Sequence, residues 1–138
     1  MEIRNSAEDY LEMMLMLRQE KGYIRSVDIA EGMGVTKPSV SYAVKKLKER
    51  GLITMQTDGI ITLTEAGEAI ALRTYERHMA LTNLLMTIGV SEETACEDAC
   101  KIEHDLSEES FHALLRFAGE HLEDLHLNHK HVHRHKHQ

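Results

Sequence analysis

The stretch of sequence that decides the fold runs from residue 36 to residue 63 and reads TKPSVSYAVKKLKERGLITMQTDGIITL. Apolar residues in its first half recur at helical spacing as far as Gly51, namely Val40, Val44 and Leu47. Its second half changes to β-branched runs at 52–56 and 60–63 around Asp58-Gly59. Because an Asp-Gly pair readily supplies the positive φ of a tight turn, this half predicts a β-hairpin directly after a helix.

Two helices are predicted before this stretch. Residues 7–21 contain no helix breaker, and their apolar side chains lie on more than one face, so we expect this helix to be covered on two sides. Met13 and Met16 are interpreted as core contacts. Residues 26–32 predict a short second helix whose inward side chains are Val27, Ile29 and Ala30.

Three further helices are predicted after the hairpin. A long helix runs from Thr64 to about Ile88, and two shorter ones run from Ser91 to near Leu106 and from Ser107 to about Leu125. The chain therefore divides into three parts: residues 1–63, residues 64–125, and a His-rich tail at 126–138 that is expected to be disordered.

Composition excludes several classes of protein. The chain has 138 residues, 42% hydrophobic and 28% charged, with a net charge of -7. No apolar run approaches the roughly 20 residues that a membrane span needs, and the start lacks the regions of a secretory signal. We therefore expect a cytoplasmic protein with no membrane partner, in which Cys96 and Cys100 are thiols.

The charge is unevenly distributed, and this points to nucleic acid. Residues 37–50 carry five basic side chains against one acidic, whereas residues 90–125 carry eleven acidic against two basic. Three helices followed by a hairpin is the order of a winged helix-turn-helix, whose third helix enters the major groove of DNA. The outward residues of that helix are candidate DNA contacts: Lys37, Ser39, Ser41, Tyr42, Lys45 and Lys46. A solvated basic helix is the alternative. The wing tip carries Asp58 and is expected to add little affinity.

Two groups of residues are candidate metal ligands. Asp9 and Glu12 share one helical face, and so do Cys100, Glu103 and His104 at spacing i, i+3, i+4. Such a mixed set suits Fe, Co, Ni, Zn or Mn rather than Ca or Mg alone. A solvated Glu-His pair beside a buried thiol is the alternative for the second group.

Short motifs spread over residues 3 to 120 add a separate line of inference. They are Asp9-Tyr10-Leu11-Glu12, Val27-Asp28-Ile29-Ala30, Lys37-Pro38-Ser39-Val40-Ser41, Thr62-Leu63-Thr64-Glu65-Ala66-Gly67, Arg77-His78, Ile88-Gly89-Val90 and Cys100-Lys101-Ile102-Glu103-His104-Asp105-Leu106-Ser107. In this order they resemble the diphtheria-toxin-repressor and manganese-transport-regulator family, and the last motif is the most specific.

The resemblance implies a mainly α protein: an N-terminal winged helix-turn-helix with a small β-hairpin wing, then an all-helical dimerisation domain. It implies a homodimeric, metal-activated repressor of metal-uptake genes that binds double-stranded operator DNA, with no enzymatic activity and no organic cofactor. The metal ligands that it implies are Asp9, Glu12, His78, Cys100, Glu103 and His104. The length is that of the short, manganese-type branch.

The implied ligand set departs from both branches of that family. The manganese-type branch has a carboxylate where this chain has Cys100, whereas Asp9 and Glu12 resemble that branch. Thiolate favours softer ions and carboxylates favour Mn(II), so we expect Mn(II) or Fe(II), with Zn(II), Co(II) or Ni(II) as further candidates. Cys96 is interpreted as a buried thiol rather than a further ligand.

Other functions are compatible with parts of the sequence. A winged-helix regulator that senses a small organic ligand would bind DNA regardless of chelators. A metal storage or chaperone protein could be built around the tail, where His residues alternate with Lys and Arg. An enzyme using Cys100, Glu103 and His104 is disfavoured, because the chain has no Gly-rich phosphate loop, nucleophile elbow or Cys-x-x-Cys motif.

Overall fold

The structure, a computed structural model, describes residues 7–120, so the expectations for the His-rich tail and for the end of the last helix near Leu125 lie outside the described residues. Within them the elements follow in the order α1 (Ala7–Lys21), α2 (Ser26–Met33), α3 (Lys37–Glu49), β1 (Ile53–Met55), β2 (Ile61–Leu63), α4 (Glu65–Thr87), α5 (Glu92–Ile102) and α6 (Glu108–Glu120). The predicted mainly α architecture with a single hairpin is confirmed. No helix in this range is long and apolar enough to cross a membrane.

The described residues form two compact units that divide between Tyr75 and Glu76, within α4. The first unit contains α1, α2, α3 and the hairpin, packed around one apolar core. Side chains with almost no exposure come from every one of these elements, among them Leu11, Leu15, Ile29, Val40, Leu47, Ile53 and Ile61. This shared core fixes the orientation of α3 relative to the hairpin.

The turn between α2 and α3 depends on local backbone chemistry. Gly34 closes α2 in the left-handed region at φ 68°, which glycine adopts without a Cβ penalty. The Thr36 hydroxyl accepts a hydrogen bond from the Ser39 amide at 3.2 Å, and Pro38 occupies the first turn of α3. Such a cap contributes about 1 kcal/mol, and proline at this position loses no helical hydrogen bond.

The hairpin is held at its tip and along one edge. β1 and β2 pair antiparallel with Thr54 opposite Thr62. At the tip, the Asp58 carboxylate accepts the Ile60 amide at 3.0 Å, so this acidic side chain forms part of the turn itself. On the other side of β2 the Ile61 amide donates to the Ile24 carbonyl at 2.9 Å, which joins the hairpin to the segment between α1 and α2.

The second unit contains the rest of α4 together with α5 and α6. Its core comprises Leu81, Ala99 and Phe111. Helix α5 ends at Ile102, earlier than the expected end near Leu106. The reason is visible in the hydrogen bonds, because the amides of Asp105 and Leu106 both donate to the Ile102 carbonyl, at 2.9 and 3.0 Å, and close a turn.

Two of the predicted core residues are exposed instead. Met16 retains 41% of its surface, because the stripe of α1 that is buried at Asp9 and Glu12 reaches solvent one turn further on. Val27 retains 50%, since a residue two positions from the buried Ile29 lies on the opposite side of a helix. Met13 packs against the core as predicted.

Gly67 in the first turn of α4 lies against the main chain. A Cβ atom at this position would collide with the Leu52 carbonyl oxygen, which is already fixed by the Thr64 amide at 3.0 Å. We expect Gly67→Ala to lower the free energy of unfolding by about 1–3 kcal/mol through overpacking, as measured by urea unfolding at one protein concentration. Gly119→Ala is the matched control, because a Cβ there meets nothing within 4 Å. A Gly67→Ala variant as stable as the control would refute this close contact.

Candidate metal centre and nucleic-acid interface

The carboxylate of Glu103 is the most deeply buried acidic group among the described residues, and its side chain retains only 1% of its surface. It lies at the end of α5, where Glu103 keeps helical dihedral angles as the C-cap. One carboxylate oxygen, Oε1, lies 3.2 Å from Nδ1 of His78 on α4. The other, Oε2, lies 3.3 Å from Nε2 of His104.

The Oε2 atom of Glu103 has no hydrogen-bond partner of good geometry, although it is fully buried. Burying an ionised carboxylate is costly unless a cation or hydrogen-bond donors compensate its charge. Sγ of Cys100 and a carboxylate oxygen of Glu103 lie within 4.8 Å of one another, one turn apart along the chain. The second unit therefore brings together four of the six expected ligands: His78, Cys100, Glu103 and His104.

The remaining two expected ligands, Asp9 and Glu12, lie in the first unit. They share one face near the start of α1, and each retains 9% of its surface. Tyr10 beside them is almost fully buried, and the loss of hydration raises the pKa of its phenol, which stays protonated near neutral pH. Acidic side chains are rarely buried to this degree unless they are paired or bind a cation.

These residues fit a divalent transition metal. The donor set consists of carboxylate oxygens, imidazole nitrogens and a thiol, which is the mixture that Mn, Fe, Co, Ni and Zn accept. The buried Oε2 of Glu103 without a hydrogen-bond partner is the observation that such an ion would explain. The sequence predicted Cys100, Glu103 and His104 as one group because they follow helical spacing, which Glu103 preserves as the C-cap of α5.

The candidate DNA-binding surface lies on α3. Val40, Val44 and Leu47 are buried, and all six predicted contact residues are exposed on the rest of the helix: Lys37, Ser39, Ser41, Tyr42, Lys45 and Lys46. The ring of Tyr42 retains 65% of its surface, and Nζ of Lys46 lies 5.5 Å from its centroid. Hydroxyls and ammonium groups on one exposed helical face suit contact with phosphates and base edges.

A further cation lies beside the hairpin, where the sequence indicated only Asp58. Nη1 of Arg25 donates to the Asp58 carbonyl oxygen at 3.2 Å, and the guanidinium lies 5.9 Å from the Tyr23 ring centroid. Sequence reasoning missed this residue because Arg25 and Asp58 are 33 positions apart. The wing tip thus combines an acid engaged in the turn with an exposed arginine.

Comparison with known proteins identifies the family. Residues 2–60 match the family model described as "Iron dependent repressor, N-terminal DNA binding domain". Residues 64–134 match the one described as "Iron dependent repressor, metal binding and dimerisation domain". The chain belongs to the iron-dependent repressor family, whose members are metal-dependent transcriptional repressors and not enzymes. The resemblance drawn from the motifs is confirmed, and with it the winged helix-turn-helix assignment.

Individual relatives agree with this assignment. The transcriptional regulator MntR of Escherichia coli O6:H1 is 39% identical over 118 residues, 86% of this chain and 76% of that protein. The HTH-type transcriptional regulator MntR of Bacillus pumilus is 46% identical over 103 residues, 74% of this chain and 71% of that protein.

Solved structures extend the comparison. The manganese regulator SloR superposes with a TM-score of 0.74 at 30% identity, and the T. acidophilum IdeR with 0.72 at 30%; each match covers 83% of this chain. This chain spans only 54% of either of those chains. The metals of the family and of these regulators, iron and manganese, confirm the expectation of divalent Mn or Fe.

The surface of α3 yields a prediction about salt dependence. We expect Lys45→Gln to weaken DNA binding by a similar factor on all sequences, and to reduce the slope of log K against log salt by about 1, because one phosphate contact is lost. Fluorescence anisotropy across a salt series measures both quantities. Lys48→Gln, on the same helix but outside the predicted contacts, is the matched control. An unchanged slope for Lys45→Gln would remove this residue from the interface.

Proposed function

We propose that this chain acts as a homodimer that represses metal-ion uptake genes, and that it binds double-stranded operator DNA when Mn(II) or Fe(II) is bound. The observation that carries the proposal is the buried carboxylate of Glu103 between the imidazoles of His78 and His104, at 3.2 and 3.3 Å. The two family matches, to a DNA-binding domain and to a metal-binding and dimerisation domain, support it. Because the family match is to a DNA-binding domain, we place the protein in the cytoplasm.

The proposed ligands are Asp9, Glu12, His78, Cys100, Glu103 and His104. A bound divalent cation supplies positive charge that compensates the carboxylates and the thiolate. In its absence, these acidic groups repel one another. His78 and His104 would supply imidazole nitrogens to the ion. The carboxylate of Glu103 lies within 3.3 Å of one ring nitrogen of each.

The ligand set also links metal binding to DNA binding. Asp9 and Glu12 belong to α1, which shares its core with α3, whereas the other four ligands belong to the second unit. If one site contains groups from both units, metal affinity depends on how those groups are arranged. The coupling free energy between metal binding and DNA binding would then be about 1–3 kcal/mol. Two recognition helices of a dimer reach successive major grooves when they lie about 34 Å apart.

The choice of metal depends on Cys100. A thiolate favours softer ions, and the carboxylates of Asp9, Glu12 and Glu103 favour Mn(II), so Fe(II) satisfies both preferences. Mn(II) and Fe(II) are the proposed activators. Zn(II), Co(II) and Ni(II) are ions that compete for the same ligands.

Two rival functions remain to be tested against this one. A regulator that senses a small organic ligand would bind DNA equally with metal and with chelator, whereas our proposal involves no organic cofactor. A metal storage or chaperone protein would rely on the tail at 126–138, which lies outside the described residues. The exposed basic face of α3 favours the DNA-binding function over storage.

The direct test is fluorescence anisotropy on labelled DNA from upstream of a metal-uptake gene. The protein lacks residues 126–138, so that tail histidines do not bind the added metal, and chelator is compared with Mn(II), anaerobic Fe(II) and Zn(II). We expect a metal to tighten binding by about 5–150-fold, the range of typical allosteric coupling. Glu103→Ala and His104→Ala should abolish this gain because each removes a proposed donor.

His112→Ala is the matched control for His104→Ala. His112 lies on α6 with an exposed side chain, and its nearest acidic atom, Oε1 of Glu108, is 3.9 Å away. This variant should respond to metal as the parent protein does. Metal-dependent binding that survives both Glu103→Ala and His104→Ala would exclude the proposed site, and equal binding with chelator and metal would favour the organic-ligand regulator.

Replacing the thiol tests the basis of metal selectivity. We expect Cys100→Glu to shift the ratio of Mn(II) to Zn(II) affinity toward Mn(II) by roughly tenfold, about 1.4 kcal/mol, because a hard oxygen replaces a soft sulfur. Metal competition against a fluorescent chelator measures the ratio. Cys96→Ser, one turn earlier on α5, should leave it unchanged. If the two variants behave alike, Cys100 does not contact the metal.

A further inference from the structure

Arg77 is a buried cation next to the candidate metal centre that the proposed function does not use. It lies on α4 and its side chain retains 10% of its surface. Nη2 donates to two main-chain oxygens, that of Glu103 at 2.8 Å and that of Leu106 at 3.0 Å. These carbonyls lie at the end of α5 and in the turn that follows, where helical partners are no longer available.

The same guanidinium makes two further contacts with α6. Nη1 lies 3.4 Å from Oε2 of Glu108, and the guanidinium carbon lies 4.5 Å above the ring centroid of Phe111. A planar guanidinium can make all of these contacts at once, because its donors point in fixed directions and its face stacks on an aromatic ring. A lysine ammonium carries the same charge but lacks that geometry.

Two neighbouring residues of α4 therefore contact the main chain and the side chain of Glu103. Arg77 binds its main-chain oxygen, and His78, the next residue, lies 3.2 Å from its carboxylate. Since both contacts come from the same turn of α4, the position of the carboxylate relative to His78 is set by a rigid element. At Glu103 the guanidinium donates to the main-chain oxygen, which leaves the carboxylate oxygens of Glu103 for other partners.

We propose that Arg77 is a positioning residue for the metal centre: it fixes the turn at 103–106 so that the donors of Glu103 and His104 are in place before an ion arrives. This inference rests on the proposed function. Preorganised ligands bind more tightly because less conformational freedom is lost on binding, and groups that orient ligands typically account for 10–100-fold in metal affinity.

A purely structural role would make Arg77 a link between α4 and α6. The contacts separate the two roles, because Glu108 belongs to α6 whereas the two carbonyls belong to the turn. Glu108→Gln removes the ion pair with α6 and keeps the carbonyl contacts. Arg77→Lys keeps the positive charge but loses the planar guanidinium group whose Nη2 donates to both carbonyls.

The test uses the full chain and Co(II) as the probe. A charge-transfer band between thiolate and Co(II) reports only on sulfur ligands, so histidines of the tail do not contribute to it, and Cys100→Ser assigns the band. We expect Arg77→Lys to weaken Co(II) binding by about 10–100-fold in chelator competition and to alter the band. Glu108→Gln and the exposed control Arg116→Lys should bind Co(II) like the parent chain.

Each other outcome overturns the inference in a recognisable way. Parental Co(II) affinity in Arg77→Lys excludes a positioning role, and equal losses in Arg77→Lys and Glu108→Gln assign Arg77 to general stability. If the charge-transfer band seen in the parent chain is still present in Cys100→Ser, the proposed ligand set is refuted. The role of Arg77 that rests on this set is then refuted with it.

A measurement on the unaltered chain covers the case in which Arg77→Lys does not fold. We expect amide hydrogen exchange of residues 103–106 to be slow in the metal-free protein and to change little when Co(II) is added, because Arg77 already orders the turn. Fast exchange that slows only with Co(II) would show that the ion, not Arg77, orders this segment.

Discussion

A carboxylate taken almost completely out of water is the constraint on which the second unit depends. A carboxylate in that position is costly unless donors or cations surround it, and the unit supplies such groups from α4 and from the turn after α5. His78 comes from α4, His104 from the turn after α5, and Arg77 holds the main chain of the same residue. The apolar core of the same unit is small and comprises Leu81, Ala99 and Phe111.

The first unit follows a different principle, since its order comes from apolar burial. Every element from α1 to β2 contributes a side chain to one core. The buried face of α3 is part of this core, and its burial determines which face of the helix is exposed. The described contacts of the hydroxyl and basic residues of α3 include the cap between Thr36 and Ser39 and the contact of Lys46 with the Tyr42 ring, both within the helix and its cap. They are available for a partner.

Much of this arrangement was predictable from the sequence, because the signals are local. Helical spacing located α3, the absence of helix breakers located α1, and start and stop signals located α4. The Asp-Gly pair located the hairpin, and helical spacing placed Cys100, Glu103 and His104 on one face. The failures have a common cause, which is that exposure depends on what packs against a helix. Met16 is apolar and helical, yet nothing in the sequence shows that its face reaches solvent, whereas the exposure of Val27 follows from helical geometry once Ile29 is buried. The contacts of Arg25 and Arg77 were not predicted because their partners lie 26 to 33 positions away in the chain.

The early end of α5 has a kinetic consequence for the candidate centre. Cys100 lies within regular helix, whereas His104 lies in a turn whose amides share the Ile102 carbonyl. Turns open locally at lower free energy than the helices that precede them. Here the guanidinium of Arg77 binds two carbonyls of that turn, so releasing the imidazole of His104 requires these contacts to break first, whereas Cys100 is held by the helix itself. Arg77 thereby slows the opening of the turn that carries His104, a brake that the helical Cys100 does not need.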